Sequence, residues 1–211
     1  MRDVFRVRVR LLWVFEDPPG AVAMRLATRM DAVAVPSRSA QMPANAVVVP
    51  PAVDTARYAP PLSRSDAQRA LGLPEGSLYI GWLGPGDPGG FVRAMITLCR
   101  EDRRIRGVIR TAPIPRPVAE IRNAGLHHRI RFAPGGDDLA WLQALDGCVA
   151  DDPDDLPARQ AMACGVPICE PGLAPLRALI RGTHEPLPDP STLSEAARQR
   201  ALDALRAQLL R

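Results

Sequence analysis

From Leu78 the chain runs LYIGWLG (Leu78–Gly84), then FVRAMITLCRED (Phe91–Asp102), then GVIR (Gly107–Arg110), and the alternation of these stretches decides the fold. The first is a short apolar run closed by glycine, the pattern of a buried strand. The second sets Phe91, Val92, Met95, Ile96 and Cys99 at helical spacing. The third is a strand again. The pattern continues as a helix over Pro117–Leu126 with proline at its start, a strand over Arg129–Ala133, and a helix over Asp137–Leu145 opened by acidic residues. A strand at Cys148–Ala150, a helix at Leu156–Gly165, a strand at Val166–Cys169 and a helix at Ala174–Gly182 follow. Strands alternating with helices imply right-handed βαβ crossovers. The expectation over residues 78–190 is therefore an α/β fold, a single Rossmann-like doubly wound parallel sheet.

The flanks read differently. Residues 1–77 form a short β-containing extension and a linker. Val4–Phe15 alternates Arg6, Arg8 and Arg10 with Val7, Val9 and Leu11, the period of a strand with one wet face. Asp31–Pro36 and Ala46–Val49 are further strands, with a loop or single turn over Ser37–Asn45. Pro50, Pro51, Pro60 and Pro61 punctuate the linker. Ser65–Leu71 is a short helix capped by Ser65 or Asp66. Residues 191–211 form a polar helix with Leu193, Ala197, Leu202, Leu205 and Leu209 on one face.

Composition narrows the function. The chain has 211 residues and a formal charge of +4, and all 27 of its cations are arginine. They are scattered rather than gathered into a basic arm, and only 4% of residues are aromatic, so the stacking platform of a single-strand binder is missing and no nucleic-acid partner is expected. No apolar run reaches the roughly 20 residues that span a bilayer. Met1–Phe15 lacks the small-residue cleavage site of a signal peptide. Cys99, Cys148, Cys164 and Cys169 lack paired C-x-x-C spacing, so they read as reduced core thiols and no metal is expected. A cytoplasmic location follows, with a peripheral contact at the cytoplasmic face of a membrane as the alternative.

Five segments, in order, resemble the family 4 retaining glycosyltransferases of the GT-B fold: DAVAVPSRSA (Asp31–Ala40), NAVVVPPAVDTARYAP (Asn45–Pro60), RALGLPEGSLYIGWLG (Arg69–Gly84), LHHRIRFAPGGDDLAWLQALDGCV (Leu126–Val149) and QAMACGVPICEPG (Gln160–Gly172). The resemblance implies that residues 78–190 are the C-terminal, donor-binding half of that fold. It also implies that little of an N-terminal domain precedes Asp31, and that a protein partner covers the face so left, through the Val4–Phe15 strand. Two family glutamates fall on Asp152 and Gln160. Asp152 is thus the candidate catalytic residue and Gln160 a ribose contact. A UDP-, GDP- or ADP-sugar donor would lie against Gly84, Gly86, Gly89 and Gly90, the Thr111 turn, Asp152 and Gln160.

The loop departs from the family where it matters. Gly84-Pro85-Gly86-Asp87-Pro88-Gly89-Gly90 carries no counterpart of the Arg and Lys that clamp a diphosphate, and Asp87 adds a negative charge. Its glycines suit a backbone cradle for phosphate or simply a tight turn. The run Asp151, Asp152, Asp154 and Asp155 reads as a solvated, helix-capping loop before it reads as a magnesium site. His127 and His128 read as cations at a helix C-terminus, and Trp82 and Trp141 as core or sheet rim. Two functions follow: a degenerate, non-catalytic accessory subunit, or the donor-binding half of a split retaining glycosyltransferase.

Overall fold

The structure, a computed structural model, describes residues 11–13, 21–35, 44–49, 53–84, 86–133, 138–152 and 155–183, with single positions at 199, 203 and 207. They fall in two compact units, one within residues 1–52 and 191–211 and one within 53–190.

In the first unit, β1 (Leu11–Trp13), α1 (Ala21–Ala27), β2 (Ala32–Val35) and β3 (Ala46–Val48) make a parallel sheet in the order β1-β2-β3. β2 is buried along its whole length. The Asn45 side-chain amide donates to the carbonyls of Ala27 and Met30, at 3.2 and 2.9 Å, and ties the end of α1 to the start of β3. α1 is a helix the sequence pattern did not reveal. Most of Val4–Phe15, most of Ser37–Asn45 and most of the 191–211 helix lie outside the described residues. Gln199, Asp203 and Ala207 are helical.

The second unit carries α2 (Arg64–Ala70), β4 (Leu78–Trp82), α3 (Gly89–Glu101), β5 (Ile105–Ile109), α4 (Pro115–Asn123), β6 (Ile130–Phe132), α5 (Asp138–Ala144), β7 (Gly147–Val149), α6 (Leu156–Ala163), β8 (Ile168–Cys169) and α7 (Leu173–Ile180). The strands are all parallel, in the order β6-β5-β4-β7-β8. The order reverses between β4 and β7. That is the topological switch point of a doubly wound sheet, where ligands collect at the carboxyl ends of the strands.

Alternation along β4 divides the core. Ile80 and Trp82 face α3, α4 and α7 with Phe91, Met95, Leu98, Ile109 and Leu176. Tyr79 faces the other layer with Leu142, Leu145, Ala158 and Val166, under α2, α5 and α6. β4 and β7 are thus buried on both sides and read as continuous apolar runs, whereas the edge strand β6 leaves Arg131 exposed.

Two helix ends differ from the sequence expectation. α2 is capped by Ser63, whose backbone is extended and whose Oγ accepts from Asp66 N at 3.2 Å, rather than by Ser65 or Asp66. Ser63→Ala is expected to cost about 1 kcal/mol, read as a lower urea midpoint with unchanged slope. At the end of α4 the backbone N–H groups of Gly125 and Leu126 take the free carbonyls of Arg122 and Ile121, and the exposed rings of His127 and His128 meet each other edge-on at 5.6 Å. All four cysteines are free. Burial pushes the Cys99 and Cys164 thiols up to about 11 and Cys169 to about 12, so they behave as inert apolar groups.

Candidate functional site

The five strand ends open on one edge, and the β4–α3 and β7–α6 loops meet there. A Cβ built on Gly84 would lie 3.1 Å from the Trp82 ring and 3.5 Å from Asp151 Oδ2, and one on Gly86 would lie 3.3 Å from the same oxygen. A side chain at Gly84 would crowd the Trp82 ring and one at Gly86 would press on the Asp151 carboxylate. The carboxylate that approaches them belongs to Asp151; Asp152, half-buried, accepts the Asp155 N–H at its backbone oxygen at 3.2 Å. Partial burial raises the Asp151 carboxyl above the ordinary carboxylate range.

The first turn of a helix offers free N–H groups to an anion. At α3 one of those groups is already taken: Asp87 Oδ1 accepts from Gly89 N at 3.0 Å. At α6 one is taken too: Asp155 Oδ1 accepts from Ala158 N at 2.8 Å. A cation the spacing did not single out stands beside the first loop. Arg93 Nη1 lies 3.4 Å from where a side chain on Gly89 would begin, and 3.9 Å from Glu120 Oε1. Gly90 faces open space.

A cavity of about 130 Å³ lies on the same edge, lined by Leu83, Arg110, Asp138, Trp141, Leu142, Pro157 and Gln160. Gln160, expected from the sequence, is in it. Thr111 is not among these lining residues; its Oγ1 turns to its neighbour's carbonyl, Ala112 O, at 3.4 Å. The residue before it, Arg110, is the one that lines the cavity. Its side chain is 7% exposed, donates to the Ala133 carbonyl and pairs with Asp138. Trp141 packs against two guanidiniums, with Arg110 5.5 Å and Arg131 5.7 Å from its ring centre. Trp82, by contrast, is a core residue, 2% exposed and stacked at 6.0 Å on Phe91.

Among the described residues no group of three or more His, Cys, Asp or Glu is placed to hold a metal ion, and no helix is long and apolar enough to cross a membrane.

No family model matches the chain. Among curated proteins it is 29% identical over 204 residues to the lipopolysaccharide core biosynthesis mannosyltransferase LpsB of Rhizobium meliloti, an alignment covering 88% of this chain and 58% of the relative. It is 30% identical over 194 residues to a D-inositol 3-phosphate glycosyltransferase of Kineococcus radiotolerans, covering 76% of this chain and 44% of that one. The chain thus spans about half the length of these relatives. Among solved structures, Anabaena Alr3699/HepE in complex with UDP matches with a TM-score of 0.64 at 16% identity, over 95% of this chain and 72% of that one. The C-terminal domain of the group 1 glycosyltransferase LpcC from Francisella tularensis matches with a TM-score of 0.50 at 23% identity, over 56% of this chain and 70% of that domain's chain. A reversing parallel sheet, the loops at its carboxyl edge and these relatives agree: the chain is glycosyltransferase-like, with the GT-B fold of the group 1 glycosyltransferases, and it matches the C-terminal half of that fold.

Proposed function

We propose that the chain is a degenerate glycosyltransferase-like subunit that does not transfer sugar by itself and serves as an accessory to a partner protein. The observation that carries this reading is the Asp87 carboxylate on the Gly89 N–H. Transfer from a nucleotide sugar leans on stabilising the departing diphosphate, and the N–H groups and dipole of a helix N-terminus are suited to that task. Here a side chain of the same loop holds one of those groups, and Asp151 brings a second negative charge against the glycines of that loop.

A second reading is favoured by Arg93, which stands near the same turn, and by Gln160 in the cavity. On that reading the chain is the donor-binding half of a retaining enzyme whose acceptor half is supplied by a partner.

A thermal-shift series with UDP, GDP, ADP and their sugar conjugates separates the two. A ligand that binds only the folded chain adds about 2.7 kcal/mol of stability at a hundredfold excess over its dissociation constant. The expected result is no shift at millimolar nucleotide, with no release of nucleotide from its sugar conjugate. A clear shift accompanied by release overturns the accessory reading in favour of the second.

A further inference from the structure

We propose that the cleft at the amino edge of the five-stranded sheet, between the C-terminal ends of α3 and α7, binds a small carboxylic acid whose carboxylate is carried on a hydrocarbon body.

The place is separate from the candidate site. Leu78 opens β4 and Ile105 opens β5, so this edge lies at the opposite ends of the strands from the glycine loop. A cavity of about 270 Å³ lies there. At the roughly 30 Å³ that one water occupies in the liquid, it has room for about nine. That is just short of the roughly 300–1,000 Å³ of drug-sized sites, and it suits a molecule of about ten heavy atoms.

Its floor is apolar. Leu98 and Ile105 are buried core residues, and Leu78 and Ile180 are half-buried beside them. A hydrocarbon body laid on these four side chains leaves water, which favours binding without direction.

The rim sets the charge. Arg104, Arg177 and Arg181 line it against Glu101 and Asp102. Both carboxylates are engaged. Asp102 accepts from Arg104 Nη2 at 2.8 Å and Nε at 3.2 Å, and that guanidinium holds its carboxyl below the ordinary carboxylate range. Glu101 accepts from Arg177 Nη2 and, at 3.3 Å, from its Nε. Arg181 is the cation left over: it is exposed and has no ion-pair partner among the described residues. Nor is its side chain consumed in closing α7. The carbonyls of Arg177, Ala178 and Leu179 in that last turn accept from the backbone N–H groups of Arg181, Thr183 and Gly182, at 3.0, 2.9 and 3.1 Å. A planar guanidinium presents parallel donors that fit the two oxygens of a carboxylate. One unmatched positive charge over an apolar floor is complementary to one negative charge on an apolar body.

The test is titration of the full chain with octanoate, octylammonium and octanol at low ionic strength, by calorimetry and by amide NMR. Octanoate is expected to saturate one site and to bind at least fivefold tighter than either of the others, with the shifted amides at Leu78, Leu98, Ile105 and Ile180. Butanoate, four methylenes shorter, should bind at least tenfold more weakly than octanoate, since each buried methylene contributes to transfer from water. Arg181→Gln, a change at an exposed position, should weaken octanoate at least fivefold while leaving octanol binding and the melting temperature in place. Absence of saturable octanoate binding at millimolar concentration, octylammonium binding as tightly as octanoate, or an Arg181→Gln variant that binds octanoate like the parent overturns the inference. None of these outcomes bears on sugar transfer at the opposite edge.

Discussion

Removing the two carboxylates at the β4–α3 turn, as Asp87→Ala with Asp151→Asn, is expected to raise the affinity of the chain for UDP about 10–100-fold. Two like unit charges about 6 Å apart repel by about 0.7–1.4 kcal/mol at an effective dielectric constant of about 40–80. Two carboxylates then oppose a phosphate by about 1.5–3 kcal/mol, which is that factor in a binding constant. Alanine at 87 also frees Gly89 N, now held at 3.0 Å, to meet the ligand. Arg93, 3.4 Å from the Cβ position of Gly89, becomes the nearest charge to the incoming phosphate on that side, so adding Arg93→Ala should remove most of the gain. The effect is electrostatic and partly exposed, and the Debye length is about 8 Å at physiological ionic strength. The gain should therefore shrink as salt is added. A gain below threefold at low salt would mean that something other than these carboxylates excludes phosphate.

The sheet was legible from the sequence because its inner strands β4 and β7 are covered on both faces and appear as apolar runs, and stretches of helical spacing alternate with them along the chain. α1 was not. AVAMRLA is seven residues long, and a stretch that short does not distinguish a helical period from a strand. The cap of α2 was ambiguous because Ser63, Ser65 and Asp66 are all competent; packing decides, since the helix must bring Gln68 to the Ala144 carbonyl, 3.0 Å away.

The site divides the same way. The glycine loop follows β4 directly and could be counted off along the chain, whereas Gln160, inside α6, came from the family resemblance. Asp138 and Trp141 sit one turn apart on α5, but Arg110 lies 28 residues before Asp138 and meets them because β5 pairs with β6, whose end carries the Ala133 carbonyl next to Arg110. Each alone reads as an ordinary surface or core residue. Asp151 and Asp152 are adjacent and chemically equal. Which of them meets Gly84 and Gly86 is fixed by how the chain leaves β7, a matter of backbone direction that composition does not carry.

Asp146→Ala is expected to destabilise the 53–190 unit by about 2–4 kcal/mol, and Asp146→Asn by less than about 1 kcal/mol. Asp146 lies in the turn before β7, and its Oδ2 accepts from Tyr79 N at 2.8 Å and from Gln68 Nε2 at 3.1 Å. Tyr79 and Gln68 are both buried. Alanine strands the Tyr79 N–H and takes one of the two partners of the Gln68 amide, and a buried donor without a partner costs about 1–3 kcal/mol. Asparagine keeps an acceptor in place. Burial holds the Asp146 carboxyl above its ordinary value, outweighing the Tyr79 and Gln68 hydrogen bonds and the Arg64 guanidinium 4.0 Å away. A carboxyl raised in the native state binds its proton more tightly there than in the unfolded chain. Its contribution is thus fully present below about pH 3.9, the ordinary aspartate value, and is lost as pH rises through the native-state value. Asparagine has no such loss. The stability of Asp146→Asn relative to the parent, from urea unfolding, should therefore improve as pH is raised from about 4 and then level off. A difference that stays flat from acid to neutral pH would show that this carboxyl is not held raised. The same turn joins α2, α5 and β7, which carry Trp141 and lead into Asp151. Loss of the Asp146 contacts should accordingly loosen the cavity edge before the opposite core layer, and amide exchange should quicken first in α2 and α5.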